Sequence, residues 1–339
     1  MKTYRAAVVG CGNISRSHFA AIAACEYAHL TAVCDIQPQR AKACAEKYGA
    51  AAYTNLKDLL ADGAADVVHI CTPHYLHAPQ AIAALQSGCH VFCEKPMAIR
   101  LADAQRMAQA AQQSGKKLGF CFQNRYNDAS VQIKELLESG QFGKLLGLRA
   151  IVPWDRDADY YLADPWRGKI DTEGGGVLIN QAIHTLDLAL WFVSSPLEAV
   201  SASVSTKRLA DTVETEDTAD ALLEFENGAR AVFFATLCNA GNDPIELSLR
   251  CEKGSIVLAR NLRICPAGEA EQTYEINRPT GKKSYWGTGH YSIIHDFYES
   301  LVQNRPFAVE AAEALRVTEA VERIYRAAGR REPHPPVQL

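Results

Sequence analysis

The chain has 339 residues, of which 48% are hydrophobic, and it carries 35 Lys and Arg against 39 Asp and Glu. At about 150 residues per domain, this length predicts two domains, each large enough to bury a core of its own. A net charge of −4 with scattered basic residues argues against nucleic acid as a partner. Because no stretch approaches the roughly 20 apolar residues of a membrane span, we expect a soluble cytoplasmic protein without a membrane partner.

The first third of the chain alternates short apolar runs with amphipathic stretches. We predict strands at residues 4–9, 30–34, 67–71, 90–93 and 118–122, and helices between them at 41–48, 78–86 and 102–113. Continuous apolar strands separated by helices are typical of a parallel sheet that is covered on both faces. The pattern predicts an α/β, doubly wound domain over residues 1–123.

Beyond residue 123 the segments are longer and alternate between apolar and polar residues. A helix at 129–139 precedes strands predicted at 146–152, 199–205, 219–225, 231–237, 245–250 and 255–259. Turn pairs such as Asn227-Gly228 and Lys253-Gly254 indicate hairpins in a mostly antiparallel sheet. Helices at 176–192, 290–303 and 310–328 complete a predicted α+β domain over residues 124–330, and residues 331–339 form a tail. Helices on one face would leave the sheet open-faced, which is a hint of an oligomer interface.

The 11 cysteines lie in apolar, strand-like contexts from Cys11 to Cys265, which predicts buried thiols rather than a disulfide framework. Cys89, His90 and Cys93 are the residues whose spacing comes closest to that of metal ligands. Alternation along a strand places His90 on the face opposite both cysteines, so we expect no metal.

A glycine-rich turn directly follows the first predicted strand, with the sequence Gly10-Cys11-Gly12-Asn13-Ile14-Ser15. Gly10 permits a tight turn, Gly12 lets the backbone approach a pyrophosphate, and Ser15 is small enough for close helix packing. The helix that begins near Asn13 and Ile14 offers amide donors and a positive dipole end. The turn predicts a dinucleotide site, the alternative being a domain of this shape that binds no nucleotide.

Asp35 ends the second predicted strand, twenty positions after Ser15, where a carboxylate can accept hydrogen bonds from ribose hydroxyls. The same carboxylate repels a 2′-phosphate, and the residues after it are Ile36 and Gln37 rather than basic ones. We therefore predict NAD, while Arg40 keeps NADP as an alternative because it can reach a phosphate or stack on the adenine.

Glu94-Lys95-Pro96 follows the fourth predicted strand, at the carboxyl edge where open α/β sheets bind ligands. A lysine there can hydrogen-bond a substrate hydroxyl and, when desolvated, can move a proton at neutral pH. The alternative is an ordinary surface lysine.

Three glycines at 174–176 precede a segment in which Asn180, His184, Asp187 and Trp191 share one stripe of a predicted helix. Asp187 could hold one imidazole nitrogen of His184 and so fix the tautomer of the other. Lys95, His184, Asn180 and Asp187 are the predicted catalytic residues.

The sequence resembles the glucose-fructose oxidoreductase / inositol dehydrogenase / MocA family over nearly its whole length. The matching motifs are Gly10-Cys11-Gly12 with His18, Cys71-Thr72-Pro73 with His77, Glu94-Lys95-Pro96, the triple glycine with His184 and Asp187, and His295-Asp296-Phe297. The resemblance implies a Rossmann domain followed by a domain whose open sheet assembles a homodimer or homotetramer.

The resemblance also implies residue roles. Lys95 would hold or deprotonate the reacting hydroxyl, the peptide bond before Pro96 would be cis, and His184 would act as acid and base. Further cofactor contacts would be Cys71, Thr72, Pro73, His77, Glu94, Lys95 and Asn124. Many polyol-oxidising members carry Asp where this chain has Asn180. An amide orients a hydroxyl but cannot take its proton, so proton transfer falls to His184 and Lys95.

Substrates of the family are mostly sugars, sugar acids, cyclitols and nucleotide sugars. The expected substrate contacts are Lys95, Arg125, Tyr160, Trp166, Arg167, Asn180, His184 and His290, with Gln123, Arg156 and Tyr161 nearby in the sequence. Aromatic faces beside hydrogen-bonding groups suit a sugar ring, although aromatics that pin a loop to the core would look the same.

These observations predict an NAD-dependent oxidoreductase that transfers hydride between nicotinamide and a secondary hydroxyl or ketone of a sugar, sugar derivative or cyclitol. One alternative on the same scaffold oxidises a ring carbon transiently so that a glycosidic bond eliminates and the cofactor is restored. A second alternative is a nucleotide-binding regulator without turnover.

Overall fold

The computed structural model describes residues 2–276 and 289–335. The described residues form two compact units. The first unit consists of the described residues in the ranges 1–122, 290–318 and 334–339, and the second of those in the ranges 123–289 and 319–333. The second unit begins at Gln123, and residues 290–318 group with the first unit. Of the predicted tail, residues 336–339 lie outside the described part of the chain.

The first unit is built on a six-stranded parallel sheet with the strand order β3-β2-β1-β4-β5-β6. Its strands are β1 (Tyr4–Val9), β2 (Ala28–Cys34), β3 (Ala51–Tyr53), β4 (Val67–Ile70), β5 (His90–Cys93) and β6 (Leu118–Phe120). This order is that of the doubly wound dinucleotide-binding fold and confirms the predicted fold class. The edge strand β3 was not predicted, because it is only three residues long and largely exposed.

Five helices connect these strands: α1 (Ser15–Ala23), α2 (Pro38–Tyr48), α3 (Leu56–Ala61), α4 (His74–Gln86) and α5 (Leu101–Ser114). The predicted helices at 41–48 and 78–86 begin one turn earlier, at Pro38 and His74. The hydrophobic periodicity of a sequence shows which residues face the core, but it does not show where a helix begins. The start of α2 is determined by Pro38 at the first helical position.

Helix α10 (Gly289–Val302) completes the core of the first unit. Phe297 is fully buried, and a Cβ at Gly119 on β6 would lie 2.7 Å from its ring. The absence of a side chain at Gly119 is what allows the aromatic ring to pack on the sheet, and this explains why residues distant in sequence return to the first unit.

The second unit contains an eight-stranded sheet in the order β14-β13-β12-β11-β7-β10-β9-β8. Its strands are β7 (Leu145–Pro153), β8 (Leu197–Ser205), β9 (Thr218–Phe225), β10 (Arg230–Thr236), β11 (Glu246–Cys251), β12 (Gly254–Leu258), β13 (Leu262–Pro266) and β14 (Gln272–Tyr274). The pairing of β7 with β10 is parallel and the other pairings are antiparallel, as the alternating pattern predicted. Strands β13 and β14 were not predicted because they are short and β14 is polar.

The helices of the second unit are α6 (Asp128–Glu138), α7 (Ala158–Leu162), α8 (Ile170–Glu173) and α9 (Ile183–Val193), while α11 (Ala311–Ala327) runs from residues of the first unit into residues of the second. Strand β10 buries alternate residues on one face and leaves Val232 53% and Phe234 36% exposed on the other. One face of the sheet is therefore core and the other is partly apolar surface.

The predicted helix at 176–192 is wrong over its first seven residues, which form turns. The Glu216 carboxylate accepts hydrogen bonds from the backbone amides of Gly176 and Leu178, at 3.0 and 3.1 Å. A Cβ at Gly176 would lie 1.9 Å from the backbone oxygen of Glu216, so only glycine permits this approach. Asn180 therefore precedes α9 and does not share a helical stripe with His184.

Within the described residues, no helix combines the length and apolar character needed to cross a bilayer. All 11 cysteines carry free thiols, and eight of them are buried.

Candidate active site

The two glycines of the first turn have different structural roles. Gly10 has a φ of +90°, and a Cβ there would lie 2.6 Å from the backbone oxygen of Cys71. A Cβ at Gly12 would meet nothing within 4 Å. Gly10 is thus required by the fold, whereas Gly12 leaves an open cradle at the start of α1 that a pyrophosphate fits.

Asp35 is joined to this turn through its carboxylate. One oxygen accepts from the backbone amide of Cys11 at 2.9 Å, and the other accepts from that of Gln37 at 2.9 Å. A carboxylate offers about four acceptor positions, so capacity for ribose hydroxyls remains. The guanidinium of Arg40 lies 3.6 Å from the same carboxylate. These contacts are compatible with NAD binding, and they place the guanidinium of Arg40 beside the carboxylate of Asp35.

Strand register places three predicted turns side by side. Val9 pairs with Ile70, and Ile70 pairs with Cys93, so the residues that follow them, Gly10, Cys71 and Glu94, leave the sheet at one edge. Neighbouring strands lie about 4.8 Å apart, which puts Glu94 roughly 10 Å from Gly10. The glycine turn and the turn that carries Lys95 therefore occupy the same carboxyl edge.

His77 connects two of these turns. Its Nδ1 lies 2.7 Å from the backbone oxygen of Pro96, and its Nε2 lies 2.9 Å from that of Thr72. The Lys95-Pro96 peptide bond is cis, as the resemblance implied. Burial lowers the pKa of His77, while the two carbonyl oxygens act in the opposite direction. The side chain of His77, expected at the cofactor, is thus directed to the backbone that shapes the edge.

A buried chain of hydrogen bonds ends on Glu94. His18 Nε2 lies 3.0 Å from Glu94 Oε1, His18 Nδ1 lies 2.9 Å from His69 Nδ1, and His69 Nε2 lies 2.7 Å from the Tyr298 hydroxyl. With Glu94 ionised and both imidazoles neutral, one proton arrangement satisfies every contact. The Tyr298 hydroxyl donates to His69, His69 donates to His18, and His18 donates to Glu94.

Electrostatics support this arrangement. Burial raises the pKa of Glu94, but the hydrogen bond from His18 and the positive charge of Lys95 outweigh it and hold that pKa well below its usual range. Burial and the neighbouring His18 lower the pKa of His69. His290 Nε2 lies 3.9 Å from Glu94 Oε1. Glu94 is therefore a stable negative charge directly before Lys95.

Sequence reasoning missed His69 and Tyr298. A signal for His69 was present, because it interrupts the apolar run of β4, and a buried polar side chain requires a partner. The partner could not be found from the sequence, since Tyr298 lies 229 residues further along the chain.

In the second unit, Asn180 donates through Nδ2 to Glu173 Oε1 at 2.5 Å, and the amide of Gly168 donates to Glu173 Oε2 at 2.5 Å. Burial raises the pKa of Glu173 to about 7, opposed by these two hydrogen bonds and by the charge of Arg167. Sequence reasoning missed Glu173, although a carboxylate directly before three glycines was visible.

His184 lies on α9, with its Nε2 3.5 Å from Gln123 Nε2. Asp187 is fully buried, and its carboxylate accepts three hydrogen bonds from Arg125, the shortest at 2.6 Å. The sequence predicted that Asp187 would orient His184 and that Arg125 would contact substrate. The structure instead joins Asp187 and Arg125 in a buried ion pair, which neutralises both charges away from water.

An aromatic cluster in the second unit holds two of the predicted arginines. The Arg167 guanidinium lies 4.2 Å from the ring centre of Tyr160, and that of Arg156 lies 5.4 Å from it. Arg167 also lies 5.3 Å from the ring centre of Trp166. Gln181 donates to the Tyr160 hydroxyl at 3.2 Å. Two guanidinium groups therefore lie near one aromatic ring, and their positive charges would favour an anionic group there.

The predicted residues thus divide between the units. The first unit holds Gly10, Gly12, Asn13, Ile14, Asp35, Arg40, Cys71, Thr72, Pro73, His77, Glu94, Lys95 and His290. The second unit holds Asn124, Arg125, Tyr160, Trp166, Arg167, Asn180, His184 and Asp187. Asn124, expected at the cofactor, is buried in the second unit.

Substitutions of the two turn glycines should separate folding from cofactor binding. Gly10→Ala should lower the free energy of unfolding by at least about 2 kcal/mol, because alanine must adopt a positive φ against Cys71. Gly12→Ala should change it by less than about 0.5 kcal/mol while weakening NAD binding about tenfold or more. Chemical denaturation and calorimetric NAD titration measure the two effects. Parent-like NAD affinity in Gly12→Ala would contradict the assigned cradle.

Glu173 should make stability depend on pH. Its carboxyl binds a proton more tightly in the folded chain than in the unfolded chain, where the pKa is 4.5. The free energy of unfolding should therefore decrease as pH rises from 4.5 through about 7, by up to about 3 kcal/mol.

Denaturation of Glu173→Gln at pH 5 and pH 8 tests this dependence. The difference in free energy of unfolding between the parent and this variant should change with pH. The exposed Glu226, substituted by Gln, is the control and should give no such change. Identical pH profiles for the parent and Glu173→Gln would refute the raised pKa.

Comparison with known proteins follows the same division of the chain. A family profile described as the oxidoreductase family with an NAD-binding Rossmann fold matches residues 4–122, and the GFO/IDH/MocA C-terminal domain matches residues 130–257.

Proteins with similar sequences include several that are named dehydrogenases. D-glucoside 3-dehydrogenase of Escherichia coli is 30% identical over 242 residues, which are 66% of this chain and 67% of that protein. Inositol 2-dehydrogenase of Salmonella typhimurium is 38% identical over 148 residues, which are 42% of this chain and only 44% of that protein. The WlbA dehydrogenase of Bordetella pertussis, solved with NADH and UDP-GlcNAcA, is 33% identical, covers 98% of this chain and 99% of its own, and superposes with a TM-score of 0.85. The chain belongs to the Gfo/Idh/MocA family of NAD-binding oxidoreductases.

Proposed function

We propose that this chain is a dehydrogenase that uses NAD to interconvert a secondary hydroxyl and a ketone on a sugar, sugar derivative or cyclitol. The observation that carries the proposal is the position of Lys95. It follows β5 at the same carboxyl edge as the glycine turn, two strands away, on a turn that His77 and Glu94 anchor. A cation held beside a dinucleotide site can act on a substrate hydroxyl there.

When bound, NAD accepts a hydride from the carbon that carries the hydroxyl. The Lys95 ammonium or amine hydrogen-bonds the hydroxyl oxygen and stabilises the negative charge that develops as the proton leaves. The buried Glu94 carboxylate interacts electrostatically with Lys95. His18, His69 and Tyr298 keep that carboxylate in place.

His184 is the proposed second group in proton transfer. Its imidazole can accept the hydroxyl proton during oxidation and return one during reduction. Asn180 orients the hydroxyl, and the ion pair of Asp187 with Arg125 holds the helix that carries His184.

The arginines around Tyr160 support an anionic substrate. The guanidinium groups of Arg156 and Arg167 both lie close to the Tyr160 ring. Arg167 also pairs with Asp164 at 3.1 Å and Arg156 donates to Asn242 Oδ1 at 2.6 Å, so a carboxylate or phosphate would be bound by their remaining N–H groups. The WlbA dehydrogenase, similar over nearly its whole length, was solved with UDP-GlcNAcA. A nucleotide-linked sugar acid is therefore the first substrate to test.

Lys95→Ala and His184→Ala should each lower kcat by about 10²- to 10⁴-fold, because each removes a proton-transfer group. In His184→Ala the Kd for NAD should change less than threefold. Absorbance of NADH at 340 nm, recorded with UDP-GlcNAcA, glucosides and myo-inositol, measures turnover. Lys57→Ala is the control, since Lys57 is exposed on α3.

A kcat of Lys95→Ala equal to that of the parent would refute the assignment of Lys95 to the reaction. Cleavage of a glycoside without net NADH would favour transient oxidation and elimination instead. NAD binding with no turnover of any compound would favour a nucleotide-binding regulator.

We also propose that the outer face of the second-unit sheet joins copies of this chain. Leu222 pairs with Val232, so these side chains and Phe234 form an apolar strip across β9 and β10, and each is at least 36% exposed. Ion pairs between Arg149 and Glu246 and between Arg230 and Glu224 border it. An apolar centre with a charged rim is typical of a protein interface.

Val232→Glu combined with Phe234→Glu should convert a homodimer or homotetramer to a smaller species, because two buried carboxylates oppose association. Sedimentation velocity measures the change. Leu162→Glu, at a residue 72% exposed on α7, is the control and should leave the assembly unchanged. A monomeric parent would overturn this proposal.

A further inference from the structure

We propose that Cys25, Glu26 and His295 form a zinc site at the surface of the first unit. One ligand atom from each of these residues lies within 4.8 Å of the other two. The thiol and the carboxylate come from the loop between α1 and β2, and the imidazole comes from α10. The proposal is independent of the dehydrogenase function proposed above, which uses none of these three side chains.

The three side chains are of the types that bind zinc. Thiolate, imidazole and carboxylate are its usual protein ligands, and three of them leave the fourth tetrahedral position for water. The Cys25 thiolate and the Glu26 carboxylate carry two negative charges, which balance the two positive charges of the ion. Because the complex is neutral, it leaves no net charge at a partly buried position. Magnesium and calcium prefer oxygen ligands and do not suit this set.

Two of the ligand atoms already have the separation that zinc requires. Bonds of about 2.0 Å at a tetrahedral angle place a nitrogen and an oxygen ligand roughly 3.3 Å apart. Glu26 Oε2 and His295 Nε2 are separated by 3.2 Å. The sulfur of Cys25 is within 4.8 Å of an imidazole nitrogen and of a carboxylate oxygen. A zinc-bound sulfur lies about 3.5 Å from such atoms, so a movement of roughly 1 Å completes the site.

Burial decreases across the site from the sulfur to the carboxylate. Cys25 is 4% exposed, whereas the side chains of His295 and Glu26 are 27% and 54% exposed. The sulfur therefore forms the inner side of the site. The ion and its bound water can enter from the side of Glu26.

Contacts around the ligands hold the two segments together. The Tyr291 hydroxyl donates to the backbone oxygen of Ala24 at 3.4 Å, which ties α10 to the residue before Cys25. The ring of His295 packs against those of Tyr27 and Tyr291, with ring centres 5.5 and 5.8 Å away. These rings restrict the imidazole, and a ligand that is already oriented loses less entropy when it binds an ion.

The surroundings of Cys25 act on its thiol in two directions. Burial raises the pKa of the thiol, the backbone amides of Tyr27 and Ala28 lower it, and the charge of Glu26 adds to the increase. A zinc ion changes this balance because its positive charge favours the thiolate. On binding, the sulfur–zinc bond forms and the thiol proton leaves to solvent.

Bound zinc would be a structural link between distant parts of the chain. Glu26 and His295 are 269 residues apart, so no local spacing could indicate this site. The ion would cross-link α10 to the loop before β2. One turn after His295, α10 carries Tyr298, the end of the hydrogen-bond chain to Glu94. Zinc should therefore stabilise the first unit against unfolding.

Calorimetric titration of the chelator-treated protein with zinc chloride tests the ligands. The parent should bind one ion per chain, and Cys25→Ser and Glu26→Gln should each raise the Kd for zinc at least tenfold. Cys44→Ser and His29→Ala are the controls, at a partly buried cysteine and an exposed histidine outside the site. Both should keep the affinity of the parent. A parent that binds no zinc, or an unchanged Kd in Glu26→Gln, would overturn the proposal.

Two further measurements report on the bound ion. The parent loaded with Co²⁺ should show a thiolate-to-cobalt charge-transfer band in the near ultraviolet, which Cys44→Ser keeps and Cys25→Ser loses. Saturating zinc should raise the temperature of unfolding of the parent by at least about 3 °C, and Glu26→Gln should lose most of this shift. A cobalt complex of the parent without the band refutes thiolate ligation even if Cys25→Ser fails to fold.

Discussion

A carboxylate that is removed from water must be met by hydrogen-bond donors, and this constraint organises both units of the structure. Glu94 shows it at the edge of the parallel sheet. Its charge is held by His18, which is held in turn by His69 and Tyr298. The side chains come from two helices and two strand ends, so the position of Lys95, the next residue, depends on all of them.

The same constraint shapes the second unit through three further carboxylates. Glu216 accepts hydrogen bonds from the backbone amides of Gly176 and Leu178, Glu173 accepts from the amides of Gly168 and Asn180, and Asp187 accepts from the guanidinium of Arg125. Each of these contacts sets the backbone or side chain of a predicted site residue. These buried acidic residues hold backbone amides and side chains in place and are not assigned a role in proton transfer.

Local patterns were enough for most of the architecture. The strands β1 and β5 and the glycine turn could be predicted because apolar runs, glycine conformations and proline positions act within a few residues. The failures have two causes. Strands β3 and β14 are too short and too exposed to give a pattern, and other features depend on contacts between distant residues. Residues 176–182 form turns instead of helix, and the carboxylate of Glu216 accepts the amides of Gly176, forty positions away, and Leu178. No local pattern encodes that contact.

By itself the sequence determined the order of the elements, the dinucleotide turn, and the residue types available for chemistry, because these depend on short-range sterics and hydrophobic periodicity. Only the tertiary structure decided which partner each buried polar group has. Burial makes an unpaired charge costly, so Arg125 pairs with Asp187, Asn180 with Glu173, and His18 with Glu94. These pairings span 62, 7 and 76 residues, and the longer two arise only when the chain is folded.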